Sequence, residues 1–143
     1  MRRTALLLPL ALLAACQGEP PAGRPPPPPP AAGVSATLAV HDGTGVSGPF
    51  SLAALTRLAV EARYVGVEPG PHPLRVDVLT PRGTLYAQLL GTLDVGSGPA
   101  TFSRTLEVSG TPIDAFHQVG TWRFVLTVDE GAPLATAEAN LLE

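Results

Sequence analysis

Three histidines carry the most adaptable chemistry in this chain, because an imidazole can act as a base, an acid or a metal ligand. They are His41, His72 and His117, and they lie far apart in the sequence. Each falls in a stretch whose composition is typical of turns. None has a second histidine or a carboxylate at the spacing that a metal site needs. The sequence therefore predicts three solvent-exposed turn histidines and no metal site.

Serines and carboxylates are the other candidates for catalysis. Ser47, Ser97 and Ser103 lack the G-x-S-x-G context of an activated nucleophile. A carboxylate pair for glycoside chemistry would have to come from the faces of predicted strands. The acidic residues there are Glu61, Asp77 and Glu107. Outward charges on a solvated sheet explain them, so we predict no catalytic residues and a protein that is not an enzyme.

A glycine-rich segment, Gly43 to Gly48, spells the pattern G-x-G-x-x-G. This pattern binds a dinucleotide where it follows a strand and opens a helix, whose N-terminus receives the pyrophosphate. Pro49 and Phe50 follow it here, and no strand–helix–strand unit surrounds it. The segment is therefore predicted to be a loop, and no cofactor is expected.

Cys16 is the only cysteine, so no disulfide can form within the chain. It follows Arg2, Arg3 and an apolar run that is too short for a membrane span of ~20 residues. These features predict a secretory signal peptide over residues 1–15. The tetrapeptide Leu13-Ala14-Ala15-Cys16 resembles the lipobox of bacterial lipoproteins, in which this cysteine is acylated and becomes the new N-terminus.

The resemblance implies a protein of the bacterial cell envelope that is held in a membrane by acyl chains, palmitate among them, on Cys16. Two or three acyl chains, at ~0.8 kcal/mol per buried methylene, anchor a protein stably. Because Gln17 stands where aspartate often signals retention in the inner membrane, the outer membrane is favoured. Residues 16–33 hold eight prolines after the cysteine, and Pro25–Pro30 form an unbroken run. They predict a stiff polyproline II spacer, on the order of 50 Å long at ~3.1 Å per residue.

Residues 34–143 are predicted to form an all-β domain, because apolar residues alternate with polar ones along most of its segments. Ser51 to Leu58 is expected to be a loop with one helical turn, and Pro69 to Pro73 a turn. Thr111 and Pro112 predict the start of a short helix that ends near Gly120. The seven predicted strands cover residues 34–40, 58–65, 74–78, 84–95, 102–108, 122–129 and 133–141. Short strands at this spacing, without crossover helices, indicate an antiparallel sandwich.

The last third of the chain strengthens this interpretation. Gly120-Thr-Trp-Arg-Phe-Val-Leu-Thr-Val-Asp-Glu-Gly131 and the strand after it resemble the closing hairpin of immunoglobulin-like domains in bacterial exported proteins. The resemblance implies an immunoglobulin-like β-sandwich and no particular activity. The Cys…Trp…Cys spacing of the disulfide-bonded members is absent. Trp122 shares a face with Phe124, Leu126 and Val128, so it is predicted to lie in the core. The aromatic residues left as surface candidates are Phe50, Tyr64, Tyr86 and Phe116.

Charge excludes two classes of partner. The full chain has a net charge of −3, which becomes −5 without Arg2 and Arg3, and its arginines are scattered. An acidic chain without a basic cluster does not bind nucleic acid or anionic lipid headgroups. We therefore expect a lipid-anchored interaction or structural module that serves an envelope assembly through a protein partner. The alternatives are a β-sandwich that binds carbohydrate or peptidoglycan, which requires an exposed aromatic row, and a small hydrolase.

Overall fold

The computed structural model describes residues 33–66, 68–96 and 98–143, and nearly all of them belong to strands or to the turns between strands. The predicted signal peptide, Cys16 and all of the spacer except Gly33 lie outside the described residues. None of the described helices is long and apolar enough to cross a membrane. The described residues form eight strands and one short helix. The strands are β1 (Ser35–His41), β2 (Pro49–Ser51), β3 (Arg57–Val65), β4 (Gly70–Leu79), β5 (Leu85–Val95), β6 (Ala100–Glu107), β7 (Gly120–Val128) and β8 (Pro133–Leu142), and the helix is α1 (Pro112–Ala115).

The strands form two sheets that pack face to face. One sheet has the order β1-β3-β6 and the other has the order β2-β8-β7-β4-β5. All neighbours are antiparallel except β2 and β8, which run parallel. This arrangement is that of an immunoglobulin-like sandwich, in which the fifth strand joins the edge of the sheet that holds the closing hairpin. The predicted fold class is confirmed, with eight strands where the sequence predicted about seven, since β2 was not recognised.

The core lies between the sheets and is built from the alternate residues of each strand. In β7, Trp122 to Val128 places every second side chain inward, and the Trp122 side chain is only 1% exposed. Each fully buried aliphatic or aromatic side chain contributes roughly 1.5–3 kcal/mol. Burial of this kind stabilises the fold without a disulfide, and the prediction that Trp122 is a core residue is confirmed.

The predicted turn at residues 69–73 is wrong, because β4 already begins at Gly70. Its partner β7 pairs with it only from Leu74 onward, so the two prolines at positions 71 and 73 precede the β4–β7 ladder. The carbonyl of Pro73 accepts the amide of Asp129 at 2.9 Å. In an antiparallel strand the N–H and C=O of one residue point to the same side, so the N–H that Pro73 lacks would also point toward β7. A proline at position 73 therefore removes no bond of the β4–β5 ladder, because its N–H would point away from β5.

The two ends of the sandwich carry different connections. Gly33 leads into β1 at one end, the proximal end, because Ser35 pairs with Val65 at the close of β3. The β3–β4, β5–β6 and β7–β8 turns lie at this end as well. The β1–β2 loop, the β4–β5 turn and the segment from β6 to β7 lie at the opposite, distal end. The chain therefore enters the domain at the end opposite to its longest connections.

Candidate functional site

A surface groove of about 560 Å³ lies at the distal end, between the β4–β5 turn and the segment that follows α1. We call it the distal groove. The size falls within the range of sites that accept ligands or partner side chains. Its lining residues are Thr80, Pro81, Arg82, Thr84, Phe116, His117, Gln118 and Val119.

The first wall is the turn that the sequence predicted from Thr80-Pro81-Arg82-Gly83, and that prediction is confirmed. The Gly83 amide donates to the Thr80 carbonyl at 2.8 Å, and the Thr80 amide donates to the Thr84 carbonyl at 2.9 Å. The two threonine hydroxyls are 2.7 Å apart and share a further hydrogen bond. Glycine suits the fourth position because its φ is +79°. These bonds hold the turn in one shape and set Arg82 at its tip.

The second wall is set by the end of α1. The helix begins as predicted, with Thr111 as N-cap accepting the Ile113 amide at 3.3 Å. It ends at Ala115 rather than near Gly120, because the chain closes on itself there. The Gln118 amide donates to the Ile113 carbonyl at 2.9 Å, and the His117 amide donates to the Asp114 carbonyl at 3.0 Å. These two bonds form a Schellman motif, which stops the helix within one turn.

His117 occupies the left-handed position of this motif, with φ of +45°. Glycine is the usual residue there, since a side chain at positive φ is strained. Non-glycine residues in this region cluster at functional sites, where the surrounding bonds hold them in place. The strain at His117 is therefore a second reason to regard the groove as a site.

The second wall is also tied to the core. The indole N–H of Trp122 donates to the Gln118 carbonyl at 3.0 Å, and the Gln118 side-chain amide donates to the Pro112 carbonyl at 3.1 Å. Phe116 is consequently presented by a rigid backbone, although its side chain is 75% exposed. A phenyl ring held in solvent on a fixed scaffold is typical of contact residues at interfaces.

Arg82 is the charged group of the groove. Among the described residues, no carboxylate lies within 4.0 Å of its guanidinium, as is also true of Arg57, Arg63 and Arg104, whereas Arg75 and Arg123 each have an acidic neighbour. An unpaired guanidinium can bind a carboxylate through two parallel hydrogen bonds. Together with the exposed phenyl of Phe116 on the other wall, it gives the groove both a polar and an apolar contact.

The prediction of three exposed turn histidines is wrong for two of them. His41 ends β1 and His72 lies in β4, and each side chain is only 15% exposed. His41 Nε2 lies 3.3 Å from a Glu61 carboxylate oxygen, and His72 Nδ1 lies 2.6 Å from Asp129 Oδ2. Both were misplaced because the strands extend into stretches that resemble turns. Only His117 is exposed, and it belongs to the groove.

The aromatic candidates for a sugar platform are also corrected. Tyr64 is 3% exposed and Phe50 is 7% exposed, because both side chains point into the core. Tyr86 is partly buried and meets Trp122 edge to face, with ring centroids 5.2 Å apart. Phe116 alone remains a surface aromatic among the four candidates. Its position in the groove was missed because no strand period predicts how a helix end presents its last side chain.

The remaining sequence candidates that the structure describes do not converge on a site, and Ser97 lies outside the described residues. The glycine-rich segment is a loop, as predicted, in which Asp42 Oδ1 accepts the amides of Thr44 and Val46. Hydrogen bonds from the Thr44 hydroxyl and amide lower the pKa of Asp42. Glu61 and Asp77 belong to different sheets and so cannot act as a pair. Within the described part of the chain, no three His, Cys, Asp or Glu residues lie close enough to hold a metal ion.

Comparison with known proteins shows structural similarity only. No family model and no curated protein sequence matches the chain. Among solved structures it is similar to the CARDB domain of a Pyrococcus furiosus protein, crystallised in complex with di-metal ions, at 18% identity and a TM-score of 0.45. That match covers 76% of this chain and 87% of the other. It is also similar to a Bacteroides fragilis protein assigned by name to the beta-galactosidases, at 14% identity and a TM-score of 0.40. That match covers 74% of this chain but only 15% of the other. The fold assignment rests on the strand order described above.

Proposed function

We propose that this protein is a lipid-anchored, extracytoplasmic interaction module of the bacterial cell envelope, and that it is not an enzyme. Acyl chains on Cys16 would hold it in a membrane, with the outer membrane favoured, and residues 16–33 would space the domain from the bilayer. The distal groove would bind a protein partner within an envelope assembly. The observation that carries the proposal is a groove with an exposed phenyl and a guanidinium that has no carboxylate partner in the described part of the chain.

The position of the groove supports this assignment. The chain enters the domain at the proximal end, and the groove lies at the distal end. A tether on Cys16 and a spacer on the order of 50 Å would therefore direct the groove away from the membrane. A site so directed can reach a partner in the space beyond the anchor.

The chemistry of the groove indicates an extended peptide segment that carries a carboxylate next to an apolar side chain. Arg82 would bind the carboxylate, and Phe116 with Pro81 would pack against the apolar group. Interfaces gain most of their affinity from such arginine and aromatic anchors. The acidic net charge elsewhere on the chain makes Arg82 a specific contact rather than part of a basic surface.

The alternative functions receive less support. A carbohydrate-binding sandwich stacks sugars on a row of exposed aromatic residues, and Phe116 stands alone among the candidates. A hydrolase needs a histidine with a free ring nitrogen beside a nucleophile. His72 does pair with Asp129, but its other ring nitrogen lies 3.0 Å from the Glu68 carbonyl. That histidine is at the proximal end, away from the groove.

Site-specific photo-crosslinking in intact envelopes tests the binding surface. A photoreactive amino acid would replace Phe116 in one variant and Arg63, on the outer face of β3, in a control variant. We expect one discrete crosslinked species from position 116, reduced when Arg82→Gln is added, and none from position 63. Equal crosslinking from both positions, or none from 116, would contradict the groove assignment.

A separate experiment tests the anchor. Cys16→Ser should abolish incorporation of labelled palmitate and release the protein from the membrane fraction. Labelling that persists in this variant would overturn the anchor and leave the groove untouched, so the two parts of the proposal can fail independently.

A further inference from the structure

His72 stands between two turns at the proximal end and contacts both. Its Nδ1 lies 2.6 Å from Asp129 Oδ2 in the β7–β8 turn, and its Nε2 lies 3.0 Å from the carbonyl oxygen of Glu68 in the β3–β4 turn. A carbonyl oxygen and an ionised carboxylate can only accept hydrogen bonds. A neutral imidazole has a single N–H and can satisfy one of them. The geometry therefore favours the imidazolium form, in which both ring nitrogens donate.

The β7–β8 turn that His72 contacts is strained. Asp129 has φ of +53° and Glu130 has φ of +54°, and the Gly131 amide donates to the Val128 carbonyl at 3.0 Å. Two consecutive left-handed residues define a type I′ turn, in which asparagine and glycine are the preferred pair. Aspartate tolerates positive φ at the first position, whereas glutamate at the second position disfavours it. Such a turn persists only where neighbouring contacts hold it.

Two contacts hold this turn to β4. The Asp129 amide donates to the Pro73 carbonyl at 2.9 Å, and the Asp129 carboxylate accepts from His72. The first contact does not depend on pH, and the second depends on the charge of the imidazole. We propose that His72 is a pH-sensitive clasp: as an imidazolium it ties the β7–β8 turn to the β3–β4 turn, and its deprotonation releases the β7–β8 turn.

The electrostatic surroundings favour the charged form. The hydrogen bond to Asp129 raises the pKa of His72 most, the bond to the Glu68 carbonyl raises it further, and partial burial opposes both. The charged groups that act on the imidazole are the carboxylates of Asp129 and Glu68. The β3 side contributes Tyr64, whose ring centroid lies 5.8 Å away and whose pKa is raised by burial and then by the same two acids. The residue opposite His72 on β5 is Leu93, which has no charge.

The direction of the response follows from the sign of the shift. The pKa of His72 is higher when the clasp is closed than its ordinary value of 6.5. The clasp is therefore complete at and below pH 6.5 and is lost as the pH rises through the pKa of the closed form. The ratio of open to closed turn changes about tenfold for each unit by which the two pKa values differ. In the location proposed above, the clasp would respond to the medium outside the cytoplasm, although its geometry depends on neither the anchor nor the groove.

NMR on the full chain in detergent solution tests the clasp. The ring nitrogens of the three histidines are titrated, and amide exchange of Asp129 and Gly131 is followed after correction for the intrinsic effect of pH. The Gly83 amide, which closes the turn at the other end, serves as the reference. We expect His72 to titrate above 6.5 and the protection of both amides to fall through that titration, while protection of Gly83 stays constant.

Two variants separate charge from shape. Asp129→Asn keeps a residue that tolerates positive φ but removes the charge. It should lower the pKa of His72 and abolish the pH dependence of protection. His72→Gln should give protection that is low and independent of pH. A His72 that titrates at or below 6.5 would overturn the proposal, and so would a higher titration that leaves Asp129 and Gly131 protection unchanged relative to Gly83.

Discussion

The two ends of this sandwich are held by different kinds of bond. At the proximal end, an ionisable side chain joins two short turns through Asp129 and the Glu68 carbonyl. At the distal end, backbone hydrogen bonds and one indole N–H fix the walls of an open groove. The proximal turns are therefore joined in part by a contact that depends on charge, whereas the bonds that fix the walls of the distal groove do not.

The residues with positive φ also differ between the two ends. Asp129 and His117 both have positive φ without being glycine. The positive φ at Asp129 accompanies a side-chain bond to His72. Among the described residues, the His117 side chain has no such hydrogen bond or ion pair. At His117 only the backbone bonds of the Schellman motif offset the strain, which leaves its exposed side chain available to a partner.

The largest predicted change in stability concerns Trp122, which supports the walls of the distal groove. Trp122→Ala removes the largest core side chain and the donor to the Gln118 carbonyl, so the free energy of unfolding should fall by about 3–5 kcal/mol. Urea unfolding followed by far-ultraviolet circular dichroism measures it, because Trp122 is the only tryptophan available for fluorescence. Phe116→Ala is the matched control at the same end. Its exposed ring predicts a change within about 0.5 kcal/mol.

A companion variant isolates the indole bond. Trp122→Phe retains most of the apolar volume but leaves the Gln118 carbonyl without its donor. We expect faster amide exchange of Gln118 and unchanged exchange of Asp129. Equally faster amide exchange of Gln118 and Asp129 would show that the distal walls do not depend specifically on this bond.

The second prediction concerns close packing at the proximal end. A Cβ added to Gly66 would lie 2.6 Å from Tyr64 Cε1, and the Tyr64 ring is buried. Gly66→Ala should therefore destabilise the protein by about 1–3 kcal/mol. Gly96→Ala is the control, since a Cβ there meets no atom within 4 Å. It should leave stability unchanged or raise it by up to about 1 kcal/mol. Equal melting temperatures for the two variants would contradict the packing argument.

The third prediction concerns stability and pH. The raised pKa of His72 stabilises the fold fully below pH 6.5, and this contribution disappears as the pH passes the folded pKa. Because Asp129 is half exposed, the loss should be about 1 kcal/mol between pH 6 and pH 9. Chemical denaturation at a series of pH values measures it. His72→Gln should abolish this loss of stability with pH, whereas His41→Gln, the control, should retain it. If the loss persists in His72→Gln, another group is responsible for it.

Much of the fold could be predicted from the sequence because alternation is a local signal. The period of two along β3 and β7 predicted both strands and the burial of Trp122. Strand β2 was missed since three residues are too few to show a period. The start of β4 was missed since Pro71 and Pro73 suggest a turn unless the end of the neighbouring strand is known.

The site was harder to predict because its parts come from distant segments. Thr80-Pro81-Arg82-Gly83 predicted its own turn, and Thr111-Pro112 predicted the start of α1. Phe116 was among the predicted surface aromatics, but no sequence pattern showed that these segments face each other or that Phe116 would line the groove between them. The pairing of His72 with Asp129 spans 57 positions and depends on the β4–β7 register. Contacts of this kind are set by topology, which a local pattern does not contain.

The smallest predicted effect bears most directly on the difference between the ends. His117→Gly relieves positive φ at the end of α1, where glycine is the favoured residue, and should raise the free energy of unfolding by about 0.5–1 kcal/mol. It also removes an imidazole from the groove. The prediction is therefore a more stable protein with weaker crosslinking from position 116.

Thermal unfolding and the crosslinking yield are measured on the same preparation. If the variant is more stable and still crosslinks fully, the strained conformation of His117 has no role in binding. A variant that loses stability would show that the imidazole contributes to the distal end, as His72 does to the proximal one.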